Sequence, residues 1–130
     1  MGSLVLTRCI PQYDGYCGSV VRPLDPGGRV PGTIMIGFEV YPRTDAQHER
    51  RGVIIAQGGG PGYSTTGSRD GYVRLFTPLR DDGRDIVLID KRGTGLSGAI
   101  DCHRVQRGGG LGAVSACGRK LGDTSWLYTS

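Results

Sequence analysis

An α/β fold is the architecture this sequence predicts. Three stretches support it: two short apolar runs, GVIIAQ at 52–57 and DIVLID at 85–90, and a helix-periodic segment between them. Short runs of branched apolar residues bounded by glycine or charge read as buried strands. Strand, helix and strand over this distance make a βαβ unit, with a right-handed crossover and a parallel sheet. The ligand edge of such a sheet lies beyond the carboxyl ends of its strands.

The elements follow in order. A strand over about 17–23 lies in CGSVVRPLD, and DPGG at 25–28 supplies the turn that follows it. TIMIGFEVY at 33–41 alternates Ile34, Ile36, Phe38 and Val40 against Met35, Gly37, Glu39 and Tyr41, the period of a strand with unequal faces. These two strands form an antiparallel pair. The polar stretch PRTDAQHERR then reads as a solvated loop that contains His48. After the strand at 52–57, Tyr72, Leu75, Phe76 and Leu79 recur at helical spacing and define a helix over about 69–80, closed by DDGRD. Beyond the strand at 85–90, RGGG precedes a short helix over about 111–121, where Leu111, Val114, Ala116 and Leu121 are partly in phase. A parallel sheet needs helices over both faces, and two helices are few for that task.

A length of 130 residues suits one domain with a real core, here 1–130 without an internal repeat or linker. The 24 glycines and 7 prolines are dispersed without a period of three, which excludes collagen and favours a loop-rich globular chain. A net charge of +4 comes from scattered arginines such as Arg43, Arg50, Arg51, Arg92, Arg104 and Arg107. No nucleic-acid motif accompanies them, so nucleic acid is not an expected partner. The longest apolar run falls far short of the about 20 residues of a membrane span, and the amino terminus lacks the pattern of a signal peptide.

The cysteines fall as two local pairs, Cys9 with Cys17 and Cys102 with Cys117. Neither interval has the close spacing of zinc ligands, so no metal is expected. Disulfides fit better and imply an oxidising compartment; four reduced, partly buried thiols are the alternative.

The glycine cluster GGGPG at 58–62 follows a strand, and three anions could use the backbone N–H groups of such a turn. A dinucleotide needs GxGxxG opening a helix directly, whereas Pro61 interrupts this cluster and the helix begins further on. A phosphate loop needs GxxxxGK followed by Ser or Thr, and no lysine stands nearby. A reaction oxyanion asks only for one or two N–H groups aimed at a transient charge, with no cofactor. Gly60 is the candidate donor, with Gly59 and Gly62 shaping the turn and Pro61 fixing one dihedral. An ordinary βα turn without a catalytic role is the alternative.

GGGPGYS at 58–64, DKRGTGLS at 90–97 and CGSVVRPLD at 17–25 together resemble the amino-terminal part of the α/β-hydrolase group that contains proline iminopeptidases and secreted tripeptidyl aminopeptidases. The resemblance spans nearly the whole chain and implies the amino-terminal part of an α/β-hydrolase sheet. It assigns the backbone oxyanion donor to Gly60 within Gly59, Gly60, Pro61 and Gly62. It matches Asp90, Arg92, Gly93, Gly95 and Ser97 to a motif that shapes the turn after the next strand, with Asp90 and Arg92 in an ordering network. Ser97 and Ser64 are not the family's nucleophile. Gln57 and Gly58 stand where proline iminopeptidases begin the motif with histidine, a form closer to the exported branch, whose members also have cysteines near Cys102 and Cys117. The resemblance thus implies disulfides and a secreted or cell-envelope setting; a cytoplasmic one is the alternative, given the lack of a signal peptide.

Hydrolysis in this group needs a serine on a GxSxG elbow, then an acid and a histidine. No GxSxG occurs here, and His48 and His103 both read as solvated side chains. The resemblance therefore implies the amino-terminal segment of a serine hydrolase, an aminopeptidase acting on peptide amino termini, with the nucleophile beyond residue 130 and no activity from 1–130 alone. A peptide, or a small amide or ester, would be the substrate of the full-length enzyme. The nucleophile strand would pair beside 52–57, leaving that edge to a complementing chain or to self-association. A noncatalytic binding subunit or relic is the competing class, and an esterase or amidase of the same fold the nearer alternative.

Overall fold

The computed structural model describes residues 4–45, 47, 49–59 and 62–128. Among them, five strands form one mixed sheet: β1 (Thr7–Ile10), β2 (Gly15–Pro23), β3 (Thr33–Tyr41), β4 (Val53–Ala56) and β5 (Asp85–Ile89). Helix α1 (Arg69–Asp81) joins β4 to β5, and α2 (His103–Gln106) and α3 (Leu111–Leu121) follow. The α/β class expected from the sequence is the one observed.

Strands run in the order β1-β2-β3-β5-β4. The β1–β2, β2–β3 and β3–β5 pairs are antiparallel, and β4 pairs with β5 in parallel, with Ile54 opposite Ile86 and Ala56 opposite Leu88. β4 is therefore an edge strand. β1 was not expected: TRCI carries no apolar alternation, and its residues are exposed or half-buried. A disulfide between Cys9 and Cys17 ties this strand to β2.

The core lies between α1 and one face of the sheet, where Tyr41, Ala56, Val73, Ile86 and Leu88 are buried together. Of the four residues expected on the inward face of α1, Leu75 alone is exposed. Tyr72 and Phe76 pack inward beside Val73, whereas Leu75 is 67% exposed. Arg80 also takes a buried position on this helix, its guanidinium donating to the Pro42 carbonyl at 3.0 Å and the Tyr13 carbonyl at 3.3 Å. The long side chain covers apolar surface while its head finds backbone acceptors.

The two faces of β3 are likewise unequal in an unforeseen sense. Gly37, Glu39 and Tyr41 are buried and Met35 is exposed, while on the opposite face Phe38 is buried and Ile34, Ile36 and Val40 are half-buried. That second face continues across β5 and β4 through half-buried Val87 and Ile89 to exposed Val53 and Ile55. Helix α3 packs against α2 and the 3₁₀ turn after it (Gly122–Tyr128), with Leu111 and Val114 exposed and Ala113 buried. Of the apolar phase expected for α3, Ala116 and Leu121 are half-buried, whereas Leu111 and Val114 face out and the buried position falls to Ala113.

Candidate functional site

Because β4 and β5 are parallel, the loop after Ala56 and the turn after Ile89 leave the sheet at the same edge, as the βαβ reading expects. Gly60 and Pro61 lie outside the described residues. Gly58, Gly59 and Gly62 frame them. Gly62 adopts φ +78°, a left-handed conformation that suits glycine. Gly58 is buried, and its N–H donates to the Thr65 hydroxyl at 2.9 Å. The same hydroxyl donates to the Ile89 carbonyl at 2.8 Å, which ties the start and end of the loop to the tip of β5. Gly59 and Gly62 remain exposed.

Asp90 then joins this loop to the second turn. It is 1% exposed and accepts from the Thr66 N–H at 3.0 Å, the Thr66 hydroxyl at 2.6 Å, the Ser64 hydroxyl at 3.1 Å and the Leu96 N–H at 2.7 Å. Burial pushes its carboxyl up, but the hydrogen bonds from Thr66, Leu96 and Ser64 outweigh it and hold the group below the ordinary carboxylate range. A buried anion is tolerable only when so satisfied. Its partners in the glycine loop stand at the entry to α1, through the 3₁₀ turn Thr66–Ser68.

The second motif is a compact turn, with the Gly93 N–H donating to the Ser97 carbonyl at 2.9 Å and the Ser97 N–H to the Thr94 carbonyl at 2.8 Å. Ser97 is fully buried; its hydroxyl donates to the Asp90 carbonyl at 2.8 Å and accepts from the Gly37 N–H at 2.9 Å. It is a brace between the turn and β3. Ser64 is similarly engaged, donating to Asp90 and accepting from the Gly67 N–H at 2.9 Å. Gly95 adopts φ +43°, and a Cβ there would land on the Asp90 carboxylate and the Ser64 hydroxyl. The expected ordering network of Asp90 with Arg92 divides instead. Asp90 is filled from the glycine loop and Leu96, whereas Arg92 reaches away to the Leu24 carbonyl at 2.6 Å, because the tight turn sends its long side chain toward the β2–β3 connection.

Sequence reasoning missed a buried ionic group behind this edge. Glu39 is fully buried in β3 and receives Arg69, the first residue of α1, through Nε at 3.1 Å and Nη2 at 2.7 Å. The Tyr41 hydroxyl donates to the same carboxylate at 2.5 Å. Burial, then the negative charge of Glu39, pushes the Tyr41 phenol well above its usual range. A lone acid within an apolar strand was the available signal, since such a group requires a partner.

No family model matches this chain, and no curated protein matches it. The site's chemistry therefore rests on its geometry. Among the described residues, the exposed glycines Gly59 and Gly62 stand in the loop beyond the carboxyl end of β4. His103 is 73% exposed and lies 3.2 Å from the Asp101 carboxylate, and His48 lies outside the described residues. Among the described residues no His, Cys, Asp and Glu cluster is placed to hold a metal ion, and no helix is long and apolar enough to cross a membrane. Both expected disulfides, Cys9–Cys17 and Cys102–Cys117, are formed.

Proposed function

We propose that this chain is the amino-terminal segment of a serine hydrolase of the α/β-hydrolase type, an aminopeptidase that releases residues or short peptides from peptide amino termini. The observation that carries the reading is the joining of the two glycine motifs at one sheet edge by Asp90. That edge is where open α/β sheets place their ligands. The strand order, with β5 between β3 and β4, supports the same reading.

In this proposal the chain supplies part of an oxyanion hole. The Gly60 N–H, together with that of the residue after the nucleophile, would stabilise the tetrahedral intermediate formed when a downstream serine attacks the scissile carbonyl. The acyl-enzyme is then hydrolysed by water. The Gly58 N–H is already committed to Thr65, which leaves the exposed glycines after it for the reacting oxygen. The open edge of β4 would be covered by a complementing strand. The two disulfides support an exported setting, because such bonds persist in oxidising compartments.

Intact mass and peptide sequencing of the protein from its native host test the proposal, combined with labelling by a fluorophosphonate. A longer product that labels at a GxSxG serine, while residues 1–130 alone remain unlabelled and inactive on peptide substrates, is the expected result. Sustained cleavage of an amino-terminal peptide substrate by the pure 1–130 chain, or a native product that ends at Ser130 with no complementing chain, would overturn it.

A further inference from the structure

We infer that Thr65 is the positioning residue of the glycine loop: its single hydroxyl sets where the loop amides point. The inference rests on the reading of that loop as an anion receiver, and it adds the element that fixes its geometry. Thr65 is 1% exposed, and its hydroxyl uses both of its capacities, accepting from the Gly58 N–H at 2.9 Å and donating to the Ile89 carbonyl at 2.8 Å. Gly58 and Thr65 are both buried, whereas Gly59, Gly62 and Tyr63 between them are exposed. One side chain thus closes the loop at its neck and docks the neck onto β5.

The arrangement is specific to a hydroxyl. Valine has nearly the shape of threonine but offers neither donor nor acceptor, so the Gly58 N–H and the Ile89 carbonyl would lose a partner together. Serine keeps both bonds and loses only a methyl. Asp90 holds the next residue, Thr66, independently through its N–H and hydroxyl, so the far side of the neck stays anchored when Thr65 changes. The consequence is local: the loop amides shift while the sheet persists.

Amide hydrogen exchange with ¹⁵N-resolved detection on the 1–130 chain tests this without any reaction. In the unsubstituted protein the Gly58 amide is expected to be protected. Thr65→Val should speed its exchange about tenfold relative to β3 amides, the size expected for one lost buried hydrogen bond. Thr65→Val should also move the Gly59 and Gly62 amide resonances, and Thr65→Ser should restore both observations. An unprotected Gly58 amide in the unsubstituted chain overturns the inference even if Thr65→Val fails to fold. So does an unchanged rate in Thr65→Val, or a failure of serine to restore it. Failure here is distinct from failure of the hydrolase reading, which depends on a reactive serine rather than on amide protection.

Discussion

Arg69 meets Glu39 thirty residues away in sequence, placing a two-pronged ion pair between the first turn of α1 and the buried face of β3. The carboxylate is fully buried, while the guanidinium remains 30% exposed. Burying both charges is costly, so the pair adds less than its short distances suggest; breaking it is another matter. Arg69→Met leaves the buried Glu39 carboxyl beside Tyr41 without its guanidinium partner, and is expected to cost about 3 kcal/mol of unfolding free energy. Glu39→Gln with Arg69→Met should recover much of that loss, since no bare charge remains. Urea unfolding of the three proteins measures both effects, and a single substitution as mild as the double one would contradict the pairing argument.

Much of this fold was legible because its strongest signals are local. The runs at 52–57 and 85–90 and the alternation at 33–41 each dictate a strand by their own composition, and they recur within a residue or two as β4, β5 and β3. β1 was hidden because it depends on a disulfide and a neighbouring strand rather than on its own pattern. On α1 the helical spacing located Tyr72, Phe76 and Leu79 on the inward side, but it gave no sign that Leu75 is exposed or that Val73 and Arg80 are buried. In the candidate site, the motif residues were visible but their partners were not. Nothing local indicates that Asp90 binds Thr66 and Leu96, or that Thr65 bridges Gly58 and Ile89, since each bond crosses between separate segments.

Asp90 makes stability depend on acid in a predictable sense. Its native carboxyl titrates below its unfolded value of about 3.9, so protons bind the unfolded chain more tightly. Its contribution is therefore complete above that unfolded value and is lost as pH falls through the lower native one. Asp90→Asn should be less stable than the unsubstituted protein near neutrality, and the gap should narrow below about pH 4. Urea midpoints taken from neutral to acidic pH check this; a gap that widens with acid would reverse the assigned sign.

Gly95 is expected to tolerate no side chain. Its left-handed backbone strains alanine, and the new methyl would meet Asp90 and Ser64 at the junction of both motifs. A loss of at least about 2 kcal/mol is expected for Gly95→Ala. Gly118 gives the contrast, because it lies within α3 with open space around it, and alanine there should stabilise by about 0.5–1 kcal/mol. Thermal unfolding of both variants separates a constrained turn from an unconstrained helix position.

The disulfide between Cys102 and Cys117 closes a segment with a sequence separation of 15 and joins the amino-terminal cap of α2 to α3. Ala113 is the one buried residue of α3, so the helix is expected to depend on this bond. Replacing both cysteines with alanine should lower stability by about 3 kcal/mol and raise amide exchange in α3 first. Exchange that rises equally in β3 and α3 would show that the helix is held mainly by packing.

The free edge of β4 bears on association. Ile55 is 65% exposed and Val53 is 45% exposed, on the sheet face opposite α1, and β5 covers only one side of the strand. Exposed apolar edge strands invite another strand, and a lysine on such an edge is an effective deterrent. The isolated chain should therefore associate increasingly with concentration, and Ile55→Lys should shift it toward monomer with little change in unfolding midpoint. Sedimentation velocity over a concentration series distinguishes the cases. Association that survives Ile55→Lys would place the contact elsewhere, on the half-buried strip of Ile36, Val40, Val87 and Ile89 or on exposed Leu111 and Val114 of α3.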